Sequence, residues 1–290
     1  MLSIILVMAL SMTSAWNASA RQGGAVSPTL GPVVSYSVLA GSIVTNTGPS
    51  TISGDVGASP SIGVPPHITG FPPGIVGPPG TIHDADAHAA AAQADNTAAF
   101  TTLDQTCTTT YAGVQDLTLV SPLGPGVYCA DAFLLTGNLT LSGSGVWIFK
   151  SAATITTAQG SSVTGGDPCN VWWRLVSSSS ILGAGSTMIG NVLALTDINV
   201  QTGATINGRL LTQTGQITLD SNVISGPVCA APPATATSPA NNRAVVGLPN
   251  TGGAPIRNEE FPLGLVIIGG LSAIALVLGV RAVRRSHQQK

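Results

Sequence analysis

The chain has 290 residues, of which only 8% are Asp, Glu, Lys or Arg, and a formal net charge of −2; an ordinary soluble domain is about one quarter charged. Between Arg21 and Thr251 the basic residues are Arg21, Lys150, Arg174, Arg209 and Arg243, and every acid is Asp. That sparse, mildly acidic balance lacks the basic patch that nucleic-acid binding needs, so nucleic acid is excluded as a partner.

In chain order, Leu2 to Leu10 is an apolar run and Ala18-Ser19-Ala20 is a small-x-small site. Together they predict a signal peptide over 1–20, cleaved before Arg21, and an exported product. No Lys or Arg precedes the run, so an uncleaved anchor is the alternative. Pro28 to Gly80 reads as short strands and tight turns, with Phe71-Pro72-Pro73-Gly74 and Pro78-Pro79-Gly80 as breakers. Thr81-Ile82-His83-Asp84 has capping-box spacing ahead of an Ala-rich stretch, which predicts a helix over about 82–105. Ala87, Ala90, Ala91, Ala94 and Ala98 form one small-residue face, suited to lying close against another surface. Such a helix would be about 33 Å long, enough to brace about seven rungs of a stack spaced about 4.8 Å.

From Leu117 strand chemistry returns and then repeats. Ser186-Thr187-Met188-Ile189-Gly190, Ala204-Thr205-Ile206-Asn207-Gly208 and Asn222-Val223-Ile224-Ser225-Gly226 lie 18 residues apart. Side chains alternate along a strand, so Met188, Ile206 and Ile224 should point inward while Thr187, Thr205 and Val223 face out. Ser161-Ser162-Val163-Thr164-Gly165 and Ser50-Thr51-Ile52-Ser53-Gly54 fit the same pattern. Leu139-Thr140-Leu141-Ser142-Gly143 and Pro66-His67-Ile68-Thr69-Gly70 fit it more loosely. A repeat of this length with strand chemistry marks a β-solenoid, whose coils are buried by their neighbours.

Cys107, Cys129, Cys169 and Cys229 in an exported chain are expected to be bonded. Cys107–Cys129 and Cys169–Cys229 are favoured, since each would tie the helix or the chain end to a coil, but spacing alone allows three pairings. Residues 230–247 form a Pro/Ala/Thr-rich linker. Then come Leu248-Pro249-Asn250-Thr251-Gly252, an uncharged span from Phe261 to Val280, and Arg281, Arg284, Arg285 and Lys290. The span is long enough to cross a bilayer, with its basic end in the cytoplasm. In this order the three parts resemble the sorting signal of Gram-positive-type surface proteins. That resemblance implies a sortase attacking the Thr251 carbonyl and attachment to the cell wall; a plain C-terminal membrane anchor is the alternative. Residues 248–290 are therefore read as sorting signal, membrane segment 261–280 and cytoplasmic tail, with residues 21–247, of which 21–229 form the solenoid domain, outside the membrane.

Chemistry is hard to place on this chain. Asp197 and Asp220 stand at different distances from their glycines and do not stack, and Asp131 and Asp167 have no basic partner nearby. Polysaccharide-cleaving β-helices need clustered acids, so no enzyme and no catalytic residue is expected. Left-handed acyltransferase solenoids follow an aliphatic hexad rule that Ile198, Ala204, Leu210 and Gln216 break. His83 and His88 are five apart, which on a helix puts them about 140° apart. With Asp84 and Asp86 they read as cap polarity, with no metal or cofactor. Trp147, Trp172 and Trp173 read as core, although Trp172 and Trp173, being adjacent, cannot both point inward.

What remains is an uncharged file of outward residues: Thr51, Ser162, Thr187, Thr205 and Val223. A second file stands six before each glycine, at Gly48, Gln159, Ala184, Thr202 and Asp220. Stacked at the rung spacing, the first file would present a regular array of hydroxyls and methyls that orders water through many weak contacts.

Several stretches closely resemble the microbial ice-binding protein family: Gly41 to Gly48, Asp55 to Pro60, Gly70 to Gly74, Thr81-Ile82-His83, Pro125 to Tyr128, Gly190 to Ala194 and Thr202 to Gly208. The resemblance covers about residues 29–229. It implies a mainly β fold, a right-handed, discontinuous, triangular β-solenoid with a long helix alongside, whose N-terminal coil need not stack in sequence order. It also implies an ice-binding, antifreeze or recrystallisation-inhibiting ectodomain, monomeric, displayed on the envelope, whose partner is the ice crystal surface. Some members carry a Thr-Ala/Gly-x-Thr/Asn pattern, which Thr202-Gly203-Ala204-Thr205 matches fully and Ala184-Gly185-Ser186-Thr187 in part. Asp220-Ser221-Asn222-Val223 departs furthest. The expected ice-binding residues are Thr51, Ser162, Ala184, Thr187, Thr202, Thr205 and Val223. The competing expectation is a non-enzymatic adhesive or structural surface domain for carbohydrate or other cells.

Overall fold

The computed structural model describes residues 24–59, 63–177, 179–226 and Cys229. The signal peptide, linker, sorting pentapeptide and 261–280 span lie outside the described residues. Among the described residues no helix is long and apolar enough to cross a membrane.

Parallel strands stack into coils with three faces. On the repeat face the order is Asn138–Leu141, Ser162–Gly165, Thr187–Ala194, Thr205–Thr212, Val223–Ser225, Thr51–Ser53 and Ile75–Gly77. On the flank face it is Val114–Asp116, Ala132–Leu135, Ile155–Thr157, Ser180–Leu182, Ile198–Val200, Ile217–Asp220, Val44–Thr47 and Ile68–Thr69. The third, covered face lies under the helix. The N-terminal coil therefore docks on the last C-terminal one, so the stack is discontinuous in sequence.

The repeat works as its pattern predicts. Met188, Ile206, Ile224 and Ile52 are register partners along the ladder, each 0–1% exposed. The strands Thr187–Ala194 and Thr205–Thr212 run through the corner from the repeat face to the covered face. There a Cβ on Gly208 would stand 1.8 Å from the Gly190 carbonyl oxygen, so the corner tolerates no side chain. The two loose copies differ from expectation. Leu139 pairs with Val163, two residues out of the expected register, and Ile68–Thr69 pairs with Val44–Thr45 on the flank face. Alternation keeps the expected inward Leu141 buried, with Leu139 buried beside it, but a five-residue pattern cannot say which face a strand joins.

The core fills the coils with aliphatic and aromatic side chains. Phe149 stacks on Trp173 at 4.1 Å between ring centroids. Trp172 and Trp173 point to opposite sides of one strand and are both buried: Trp173 in the coil, Trp172 beneath the helix. Each indole finds an acceptor, Trp173 Nε1 on the Ile189 carbonyl and Trp172 Nε1 on Ser27 Oγ.

The helix, α1 (Ala87–Thr102), is shorter than predicted. Its N-cap is Asp86, whose carboxylate accepts from the Ala89 N–H. Thr81 does not cap it, because Ile82–Asp84 is a strand paired with Asp55–Ala58. Its 16 residues span about 24 Å, about five rungs. The buried stripe is Ala89, Ala92, Asn96, Ala99 and Phe100, whereas Ala90, Ala91, Ala94 and Ala98 are exposed. An Ala-rich helix has little apolar contrast, and the polar Asn96 hid the true stripe. Asn96 Nδ2 donates to the Thr212 carbonyl at 3.1 Å, and Gln93 Nε2 donates to the same carbonyl. These bonds satisfy the Thr212 carbonyl and the Asn96 amide N–H under the docked helix.

Two disulfides, Cys107–Cys129 and Cys169–Cys229, carry the favoured pairing. The first ties the segment after α1 to the strand Gly126–Ala130 of the covered face. The second ties the C-terminal end to the 3-10 turn Pro168–Asn170.

Candidate functional site

The outward file of the repeat face is continuous over seven rungs: Asn138, Ser162, Thr187, Thr205, Val223, Thr51 and Ile75, all in register. All are exposed except the half-buried Ser162, with Val223 at 47% and Ile75 at 61%. Thr51, Ser162, Thr187, Thr205 and Val223 thus stand side by side. At the rung spacing the file runs about 29 Å.

A second outward file lies beside it, two residues further along each strand: Thr140, Thr164, Ile189, Asn207, Ser225, Ser53 and Gly77. Sequence reading missed these residues. The signal was available, since Thr164, Ile189, Asn207, Ser225 and Ser53 each precede the repeat glycine and share the outward parity. Neither file contains an Asp, Glu, Lys or Arg.

Ala184 and Thr202 are placed differently. Gly185 N–H donates to the Thr202 carbonyl, Gly203 N–H to Asp220 and Ser221 N–H to Thr47. These bonds build a corner column of Ala184, Thr202, Asp220 and Thr47 between the repeat and flank faces. Thr47, not Gly48, continues the column, because the N-terminal coil has one more residue between its paired positions Thr47 and Thr51 than the coil of Asp220 and Val223. The Thr202 hydroxyl donates to Asp220 Oδ2, so this column carries a charge and edges the flat file rather than belonging to it.

The flank face has an outward file of its own: Asp116, Leu134, Thr156, Ile181, Asn199, Thr218, Thr45 and Thr69. Asp197 immediately precedes the strand Ile198–Val200 and Asp220 ends the strand Ile217–Asp220, so carboxylates stand at both edges of this face.

The described basic side chains are held elsewhere. Lys150 Nζ reaches Asp104 at 2.6 Å and the Gln105 carbonyl, and Arg174 Nε donates to the Phe100 carbonyl at 3.0 Å with its guanidinium over the Phe100 ring. Both cations sit near the C-terminal end of α1, where the helix dipole favours them. The hydrogen bond from Lys150 and the nearby charge of Arg174 hold the Asp104 carboxyl below the usual range. Arg209 is 1% exposed, donating to Asn191 Oδ1 and the Val34 carbonyl, and burial pulls it down to about 10. With the cations on the helix side and in the corner beneath it, the repeat face stays neutral.

The ice-binding-like family model matches residues 38–225 of this chain. The chain belongs to that family. An ice-binding protein of Nostoc sp. (strain HG1) is 40% identical over 232 residues, covering 75% of this chain and 82% of the relative. Among solved structures, the ice-binding protein of the Antarctic ascomycete Antarctomyces psychrotrophicus is 34% identical with a TM-score of 0.60, covering 70% of this chain and all of that one. A domain of Shewanella frigidimarina ice-binding protein 1 superposes with a TM-score of 0.62 at 28% identity, covering 70% and 98%. Family membership thus agrees with the parallel coils and flanking helix, and the two coil faces free of the helix are the surfaces it offers for contact.

Proposed function

We propose that this chain binds ice through its repeat face. The observation that carries the reading is the seven-rung file from Asn138 to Ile75, exposed, in register and free of charge. Ice is a lattice of water, so a surface that matches it must hold many waters weakly at regular spacing. Threonine does this well: its hydroxyl bonds one water, while its methyl excludes others from competing positions. A charge would orient its own hydration shell strongly and spoil the arrangement. Thr51, Ser162, Thr187, Thr205 and Val223 form the contact, with Ala184 and Thr202 at its edge. Adsorption needs no bond made or broken, so the chain acts without catalysis, as its ice-binding relatives' names suggest. Ice also suits the flat face better than carbohydrate does, because the described tryptophans, Trp147, Trp172 and Trp173, are all buried and none offers a stacking platform.

A second surface has support. The central file of the flank face is uncharged from Leu134 to Thr69 and includes Thr156, Thr218, Thr45 and Thr69. Ice-affinity partitioning of residues 21–247, unmodified and with Tyr placed on either face, separates the two. Loss of partitioning on Thr187→Tyr/Thr205→Tyr supports the repeat face.

We also propose that the domain is exported as a monomer, with the Leu248–Gly252 signal and the 261–280 span holding it at the cell wall or membrane. The support is the order of motif, apolar span and basic end. Mass spectrometry of the cell-wall fraction tests the sortase reading: a C-terminal peptide ending at Thr251 supports it, and a chain retaining residues 252–290 in the membrane fraction overturns it.

A further inference from the structure

The helix start and the two end coils bring together residues that sequence spacing kept apart. His83 lies on the strand Ile82–Asp84 rather than on α1, so the 140° separation expected for one continuous helix does not apply. Its ring stacks on that of His88, in the first turn of α1, at 4.3 Å between centroids. Asp55, on the neighbouring coil, completes a group in which one ligand atom from each of Asp55, His83 and His88 lies within 4.8 Å of the others. Asp55 is buried and His88 exposed, leaving a path from solvent.

The surroundings of these three are those of metal ligands. A ligating imidazole usually gives its other N–H to a carboxylate or similar acceptor, which fixes the tautomer. His83 Nδ1 lies 2.8 Å from Asp86 Oδ2, and a carboxylate can only accept, so His83 Nε2 keeps its lone pair when the ring is neutral. Nε2 points to Thr81 Oγ1 at 2.8 Å and lies 4.0 Å from Asp55 Oδ1. Thr81 Oγ1 also donates to Asp55 Oδ1 at 3.1 Å. One hydroxyl proton cannot serve both Asp55 and His83, so Nε2 either carries a proton of its own or holds a metal ion. His88 Nδ1 lies 2.7 Å from the Tyr36 hydroxyl, whose oxygen can accept from it and leave Nε2 free.

We propose that Asp55, His83 and His88 bind a zinc-type divalent metal ion that pins the start of α1 to the solenoid. Two imidazoles and a carboxylate suit zinc, with a fourth position left to water. Tetrahedral zinc places ligand atoms about 3.3 Å apart, so ligand atoms now up to 4.8 Å apart close by at most about 1.5 Å, through side-chain rotation of His88 and Asp55. The ion would join three segments: the strand Asp55–Ala58, the strand Ile82–Asp84 and the helix. It lies on the covered side, away from the two files of the repeat face.

The test uses the purified full chain, stripped with EDTA, at pH 7.5. Isothermal titration with ZnCl2 should give one saturable site, and the melting temperature should rise with zinc concentration but not with MgCl2. His83→Ala and His88→Ala should each abolish the site. Asp86→Asn keeps a good N-cap residue while removing the carboxylate behind His83, and should weaken zinc about 10- to 100-fold. The proposal is overturned if 1 mM zinc binds without saturation or leaves the melting temperature unchanged. It is equally overturned if the affinity survives in both alanine variants, since the zinc would then be held elsewhere.

Discussion

Val223 and Thr51 are register partners on the repeat face, although nearly the whole domain lies between them in sequence. Beneath them Ile224 meets Ile52, both fully buried. The N-terminal coil thereby extends a ladder begun by the C-terminal half, and it lengthens the proposed ice-binding file by two rungs.

If that coil belongs to the same core, its inward file should matter as much as the regular repeat. Ile52→Ala and Ile206→Ala should each destabilise by about 2–5 kcal/mol, measured by denaturant unfolding with one shared transition. A small effect for Ile52→Ala, or a separate early transition, would show the N-terminal coil to be an independent appendage.

The helix prediction distinguishes two alanine stripes. Ala92→Leu forces a larger side chain against the covered face and should cost about 1–3 kcal/mol. Ala94→Leu, on the exposed stripe, should change stability by less than about 0.5 kcal/mol. Thermal melts of both variants check this, and the reverse order would restore the stripe read from sequence.

That reversal shows where the sequence was legible. Solenoid alternation was readable because each rung repeats one rule, inward aliphatic and outward β-branched, and the register of Met188, Ile206, Ile224 and Ile52 obeys it. The charge-free face was readable for the same reason. The helix was less so: alanine fills both of its faces, and the residue that decides between them is the polar Asn96, whose partner Thr212 is remote in sequence. The neighbourhood of His83 and His88 was misread because Thr81 to Asp84 imitates a cap while pairing as a strand. Ala184 and Thr202 keep the offset from glycine that the repeat gives them, but that offset falls on the corner beside the flat file, and only at Thr47, where the N-terminal coil has one more residue, does a fixed offset from glycine pick the wrong neighbour.

Acid should loosen the brace. Asp104 is held below the ordinary carboxylate range by its hydrogen bond from Lys150 and by Arg174. A carboxyl lowered in the folded state contributes stability above its unfolded value of about 4, lost as pH falls through the folded value. The melting temperature should therefore fall between pH 5 and pH 2, and Asp104→Asn should flatten part of that fall. An identical pH profile for the variant would remove Asp104 from the account.

The most direct measurement is ice-affinity partitioning of residues 21–247 beside Thr187→Tyr/Thr205→Tyr on the repeat face and Thr45→Tyr/Thr218→Tyr on the flank face, with circular dichroism to confirm that all three fold alike. The account predicts that the unmodified domain enters the ice, the repeat-face variant is excluded, and the flank-face variant still enters. Exclusion of the flank-face variant alone would move the ice contact to Thr45 and Thr218, and exclusion of the unmodified domain would contradict ice binding itself.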